Sequence, residues 1–459
     1  VAWAGGGEAA AQFAYTDPRA PGSITPLGNV AVGPSPLAVA ASLGPASMGA
    51  VHALHFQAPA TGAQSVRARM RITGLPAPED SLPRQRGTAP GARWGMVRVP
   101  ESAPSSTIIA AIDEVIARRE AHGVRVLCIA LEPEQAQDDP ALRQKVDDAV
   151  ASGIAVVVAA GNDPARLGDP ARAARAITVG AAATPPLAVA SYSATGAAPM
   201  DASEGWKPDL VAPGGSRLGR SRIAVAESNG ADGGLPDAQA NDYTVMAGTS
   251  LAAAQVAGAV ALVAQARGGG WRYDRADDAL EAKMLLLATA TETGVPREDG
   301  APAVSLERPC GVAQAGAPQG HDAQEGFGVL NLDAALEAAC AAMPASASFG
   351  EVLSAAGRRA AARRWTLRAG ATGVLRMEPA PTLDADIAVY AALPDQEGLP
   401  VLLGASCTPG LGLEELVTLP PQEQPHSVIV AVKRIAGGGA MTLSASVVGG
   451  LAGDGWHLR

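Results

Sequence analysis

Large aromatic side chains are scarce in this chain, with 6 Trp, 5 Tyr and 4 Phe among 459 residues. That shortage excludes a core built on rings. The interior must instead be filled by small side chains and close backbone contacts, and 53 glycines within a chain that is 47% hydrophobic fit that demand. Positive charge is also short: 35 Lys and Arg face 45 Asp and Glu, for a net charge of −10, and no dense basic block occurs. Nucleic acid and anionic membrane surfaces are therefore not expected as partners. No uninterrupted apolar run reaches the roughly 18 residues of a membrane span, so no transmembrane segment is expected. The four cysteines, Cys128, Cys310, Cys340 and Cys407, lack metal-ligand spacing. Cys128 lies in the apolar run "VRVLCIA" and reads as a buried thiol. Cys310 and Cys340 flank one Gly-rich loop and pair as a disulfide if the protein is exported. The chain begins at Val1 without Met, and "VAWA" before "GGGE" reads as the remnant of a signal cleavage site.

A length of 459 residues exceeds one ordinary core, so two or three domains are expected. Between Gly87 and Ala342 the pattern alternates helix and strand. "SSTIIAAIDEVIARREA" puts Ile108, Ile109, Ile112, Val115 and Ile116 on one helical face. "PALRQKVDDAVASG" is a second amphipathic helix, closed by Gly153. "HGVRVLCIA", "IAVVVAAGN" and "AITVGAA" are apolar runs without a polar face. Such strands between amphipathic helices predict a parallel sheet covered on both faces, with its site at the carboxyl ends of the strands. Asn162 follows one of those ends. After about Ala347 the pattern switches to period two: in "MTLSASV", Met441, Leu443, Ala445 and Val447 point one way and Thr442, Ser444 and Ser446 the other. That predicts an all-β sandwich with its own core, joined through "CAAMPASAS", so that a chain ending near Ser346 should fold alone.

Chemistry concentrates at "GTSLAAAQVAG". Ser250 stands at the start of an Ala-rich helix former. There it either caps the helix or is a nucleophile placed at the positive end of the helix dipole, with Gly248 allowing a tight turn before it. The run resembles the serine motif of the subtilisin-like (S8) proteases, usually written G-T-S-M-A-A-P-H-V-A-G. Ala254 and Gln255 stand where that pattern has Pro and His. "RGTAPGARWGMVRV", "SGIAVVVAAGN", "AITVGAA", "ASYSATG", "KPDLVAPGG" and "GFGVLNLDAALEAA" resemble the family's other landmarks, in order. The resemblance implies a subtilisin-like α/β fold and peptide-bond hydrolysis of protein or peptide substrates. It makes Ser250 the nucleophile and Asn162 the oxyanion donor, a bond worth roughly 10²–10³ in rate. It implies substrate contacts at Ala130, Leu131, Glu132 and Gly161, no required cofactor, and structural calcium. Sedolisin-type peptidases share the G-T-S motif but use an Asp donor, so the subtilisin branch fits better.

The family's D-T-G and H-G-T-H motifs are missing. Before Gly87 the histidines are His52 and His55, in "VHALHFQ", and Asp17 is the acid at a plausible interval. Asp17 and His52 are the triad candidates; His122, His321, His426 and His457 read as surface or core residues. Without a base Ser250 would be nearly inert, so a non-catalytic peptide-binding pseudoprotease stands as the alternative. The C-terminal strands resemble the bacterial pre-peptidase C-terminal domain, with a jelly-roll or fibronectin-like module as the other reading. The expected division is 1–86, a divergent N-terminal part; 87–343, the protease core; and 347–459, the sandwich. The expected location is secreted or cell-envelope, of bacterial type.

Overall fold

The computed structural model describes residues 87–449, apart from 101–102, 132, 134–137, 184–186, 201–202, 219–221, 227–242, 269, 303–309 and 312–316, and six strands before residue 87. The chain divides into two compact units, Val1–Arg84 and Gln85–Arg459. The first contains β1 (Ala2–Ala4), β2 (Ala9–Thr16), β3 (Ile24–Pro26), β4 (Ala31–Gly33), β5 (Val51–Gln57) and β6 (Ser65–Arg67). β2 pairs antiparallel with β3, β4 and β5, and β1 with β6. His52 and His55 stand on β5, with His52 opposite Tyr15. Their side chains, and Asp17 altogether, lie outside the described residues.

The second unit opens with an α/β layer. Its elements are α1 (Ser105–His122), β7 (Val126–Ile129), α2 (Pro140–Ala151), β8 (Ala155–Ala159), β9 (Ile177–Ala183), β10 (Ala188–Val189) and β11 (Leu210–Pro213). A two-stranded ribbon, β12 (Ile223–Ala226) and β13 (Tyr243–Met246), leads into α3 (Thr249–Arg267), followed by α4 (Asp277–Thr289) and α5 (Leu332–Cys340). β7, β8, β9 and β11 run parallel, and β10 folds back on β9. Every residue of β8 is buried, because helices cover both faces of the sheet. α2 starts at Asp139, whose carboxylate accepts from the Leu142 amide at 3.0 Å, with Pro140 in the first turn where its missing N–H costs nothing. Gly153 follows its end at φ 81°, and a Cβ there would lie 2.4 Å from the Arg272 carbonyl oxygen. No L-residue fits that space without moving backbone.

α3 crosses the sheet and buries Ala252, Ala253, Val256, Ala259, Val260 and Val263. Small side chains allow that depth: a Cβ on Gly258 would meet the Thr88 Cβ at 2.8 Å. Among the described residues α3 is the one helix long and apolar enough by length and composition to cross a membrane, and it packs on β7, β8, β9 and β11 as a core helix. Cys128 keeps solvent contact because β7 is the last strand of the path, while packing around its thiol pushes its pKa up to about 11.

The remaining strands are β14 (Ala342–Met343), β15 (Ala347–Leu353), β16 (Ala360–Leu367), β17 (Ala371–Pro379), β18 (Leu383–Ala391), β19 (Leu402–Ser406), β20 (Glu415–Leu419), β21 (His426–Gly437) and β22 (Gly439–Gly449). They form two sheets, ordered β14-β16-β21-β18-β19 and β15-β22-β17-β20. Met441, Leu443 and Ala445 are buried between exposed Thr442, Ser444 and Ser446, as the alternation requires. Both sheets contribute to one apolar cluster around Trp365, Leu375, Ile387, Val430 and Leu443.

The five-stranded sheet has a second apolar face, which it shares with the α/β layer, so the expected C-terminal sandwich does not keep its core to itself. Ala360, Ala362, Ala388, Tyr390, Ile429 and Ala431 belong to the same cluster as the α/β layer. The Glu281 carboxylate of α4 accepts from Arg364 at 3.0 Å, and Glu337 of α5 pairs with Arg358 and with Arg363. The predicted linker is itself paired: Ala342–Met343 runs parallel to Arg364–Trp365, with Met343 buried. The disulfide is Cys310–Cys407, Cα atoms 6.4 Å apart, whereas Cys340 is free. Cys340 sits at the end of α5, where its thiol donates to the Leu336 carbonyl oxygen.

Candidate active site

The carboxyl ends of β7 and β8 and the start of α3 meet. Ser250 is the second residue of α3, and its hydroxyl donates to the Ala130 carbonyl oxygen at 3.4 Å, just past β7. It does not cap the helix: the N-cap is Gly248, and no side chain caps that end. The helical dipole therefore bears on a hydroxyl not engaged in capping. Gly248 bends the chain into α3, its carbonyl accepting from the Leu251 amide at 3.1 Å, with extended backbone (φ 173°) rather than a left-handed conformation. A Cβ there would stand 3.6 Å from the Asn162 Oδ1, so the glycine keeps the space beside that amide open.

Asn162 is held from one side only. Its Oδ1 accepts from the Thr249 amide at 2.9 Å and from the Thr249 hydroxyl at 3.2 Å. Thr249 also accepts from the Gly161 amide at 3.2 Å, tying the end of β8 to the start of α3. An oxygen that accepts a backbone N–H fixes the amide's orientation and turns Nδ2 away as a donor. Among the described residues neither Asn162 Nδ2 nor the Ser250 amide makes a hydrogen bond. Of the expected substrate contacts, Ala130 is exposed, Leu131 is half-buried, Gly161 is buried, and Glu132 lies outside the described residues. Thr249 and Tyr192 were missed as site-builders, although the Thr of G-T-S was in plain sight. The Tyr192 hydroxyl donates to the carbonyls of Gly214 and Gly215 at 2.8 Å, and the Gly248 amide donates to Gly214 O at 2.9 Å. Burial pushes the Tyr192 phenol well above its usual range. Gln255, in the place of the family's His, donates to Pro213 O at 2.7 Å and braces the same strand end.

Among the described residues no imidazole bonds Ser250. His122 ends α1, exposed. His321 is a core residue: its Nε2 lies 2.9 Å from Pro208 O, its ring meets Trp206 and Phe327 edge-on, and burial pushes its pKa down to about 4. His426 lies on β21 beside the Gln424 carbonyl, and His457 is outside the described residues.

Glu292, Asp322 and Glu325 place carboxylate oxygens within 4.8 Å of one another. They do not suit the expected calcium. Such an ion takes six to eight oxygen ligands. Here Asp322 accepts from the Gln324 and Glu325 amides, and both Glu325 oxygens accept from the Thr293 amide. Lys433 on β21 and Arg359, just before β16, already supply positive charge nearby.

The site thus sets a serine at a helix N-terminus beside an outward amide donor at the end of a parallel strand. The subtilase (peptidase S8) family model matches residues 70–328, more than half of the chain, and the chain belongs to that family. Among solved structures it is similar to a cold-adapted subtilisin-like serine proteinase at 28% identity, covering 44% of this chain and 60% of that one, TM-score 0.32. A lanthipeptide protease matches at 21%, with 51% and 66% covered and a TM-score of 0.36. The epidermin leader peptide processing serine protease of Staphylococcus aureus matches at 20%, with 55% and 58% covered and a TM-score of 0.36. The chain thus spans less than two thirds of the length of each of these three.

Proposed function

We propose that this chain carries the apparatus of a subtilisin-like serine endopeptidase. Ser250 attacks the peptide carbonyl, and Asn162 Nδ2 with the Ser250 amide receives the developing oxyanion. One observation supports this most: Thr249 clamps Asn162 by its oxygen, leaving the donor face free beside Ser250. Such donors act only as charge develops, so they lower the barrier without tightening ground-state binding. Ala130, Leu131 and Glu132 would carry the substrate as an extended strand, with Gly161 at its edge. The C-terminal sheets, 347–459, are read as a pre-peptidase-like sandwich that stabilises the core, and the Cys310–Cys407 bond supports export to an oxidising compartment.

Among the described residues no imidazole bonds Ser250, so His52 and Asp17 stay as the triad candidates that the sequence offers. A second reading, a peptide-binding pseudoprotease, draws on the Ser250 hydroxyl resting on a carbonyl rather than an imidazole. A fluorophosphonate reacts only with an activated serine. Rapid labelling at Ser250, lost in His52→Ala, carries the endopeptidase reading. No labelling, with extended peptides still bound, carries the pseudoprotease.

A further inference from the structure

The segment that follows Pro213 is basic in an acidic protein. "GGSRLGRSR" holds three arginines, against a chain charge of −10. Two of them are placed by independent features. Arg217 lies with its guanidinium carbon 4.4 Å from the centre of the Tyr192 ring. That ring points its hydroxyl at Gly214 and Gly215, and Gly214 accepts from the amide of Gly248, two residues before Ser250. Arg222 immediately precedes β12, whose Ile223 pairs with Met246, two residues before Gly248. Both arginines are exposed and neither pairs with a carboxylate among the described residues. Glu298 is an acid close to this loop, and it is engaged: it accepts from the Ser191 amide and hydroxyl at 3.1 Å and from the Ser216 hydroxyl. It anchors the loop from below. Exposed Leu218, Val245 and Met246 sit among these charges.

Resting on the proposed peptide-binding site at Ser250, we infer that Arg217 and Arg222 form a basic rim that selects substrates carrying acidic side chains beside apolar ones near the scissile bond. Stacking on Tyr192 holds the Arg217 fork in place before substrate arrives, which lowers the ordering cost of a charge-assisted bond. The apolar neighbours supply contact area that a charge alone lacks. Exposed pairs are individually weak, so the rim grades substrates rather than admitting or excluding them.

The test uses the full chain and three peptides that differ only in having Glu, Gln or Lys near the scissile bond. Cleavage is read as kcat/KM and binding by fluorescence anisotropy, in low and high salt. The Glu peptide should be favoured over the Lys peptide roughly tenfold in low salt, less in high salt. Arg217→Gln with Arg222→Gln should bring the Glu-to-Lys ratio to about one, and Arg217→Glu with Arg222→Glu should invert it. Arg118→Gln, on an exposed face of α1, is the control and keeps the preference. Peptides handled alike by parent and variants overturn the rim and leave the peptide site standing. No peptide bound or cleaved at all overturns both.

Discussion

Asn162 illustrates how a residue becomes a donor by being held at its other end. Sequence reasoning singled out Ser250 and Asn162 because one opens and the other ends a recognisable run. It did not find Thr249 as the clamp, because a hydroxyl's partners are set by three dimensions. The buried acids show the same limit. Nothing in "TETGV" or "HDAQEGFG" announces that Glu292, Asp322 and Glu325 converge. Burial, then the neighbouring Glu325, pushes the Asp322 carboxyl up to about 6. The folded state thus holds this proton more tightly than the unfolded chain. The stability this contributes is present below the unfolded carboxyl range, near pH 4, and is lost as pH rises through 6. Asp322→Asn removes the ionisation while keeping an oxygen for the Gln324 and Glu325 amides. It should stabilise the protein by roughly 2–3 kcal/mol at pH 8, with the gain vanishing towards pH 4. Urea midpoints at both pH values check this; a variant weaker at pH 8 would mean that the carboxylate is stabilising.

At the scale of elements, the parallel strands and amphipathic helices were legible because their periodicity is set by burial. Ile108 and Ile112 of α1 and Leu142, Val146 and Val150 of α2 are buried as the spacing required. The alternation of β22 was equally plain. The second face of β18 was not: Leu383–Tyr390 is buried throughout. Alternate residues of that strand enter two different clusters, Ile387 and Val389 one, Ala388 and Tyr390 the other. Small residues such as Ala388 carry little signal of burial, since they occur on either side of a surface. The disulfide escaped for a related reason. Loop proximity favoured Cys310 with Cys340, whereas the docking of β19 brings Cys407 to Cys310 across 97 residues of sequence.

At the scale of the molecule, the α/β layer and the C-terminal sheets are one compact unit. A chain ending near Ser346 would uncover α4 and α5, break the Arg364–Glu281 pair and lose Cys407. Each buried side chain set free costs about 1.5–3 kcal/mol, against a net stability of roughly 5–15 kcal/mol. The truncated chain should therefore melt broadly and far below the parent, and a sharp transition at the parent temperature would restore an independent core. The central claim is that this unit positions Ser250 and Asn162 around a tetrahedral adduct, whatever supplies the base. The most direct measurement is the affinity of a peptidyl boronate, which forms such an adduct on a serine, compared with the matching peptide amide. Boronate binding should be far tighter than amide binding, should fall roughly 10²–10³-fold in Asn162→Ala, and should drop to the amide level in Ser250→Ala. Equal boronate affinity in the parent and both variants would contradict the account.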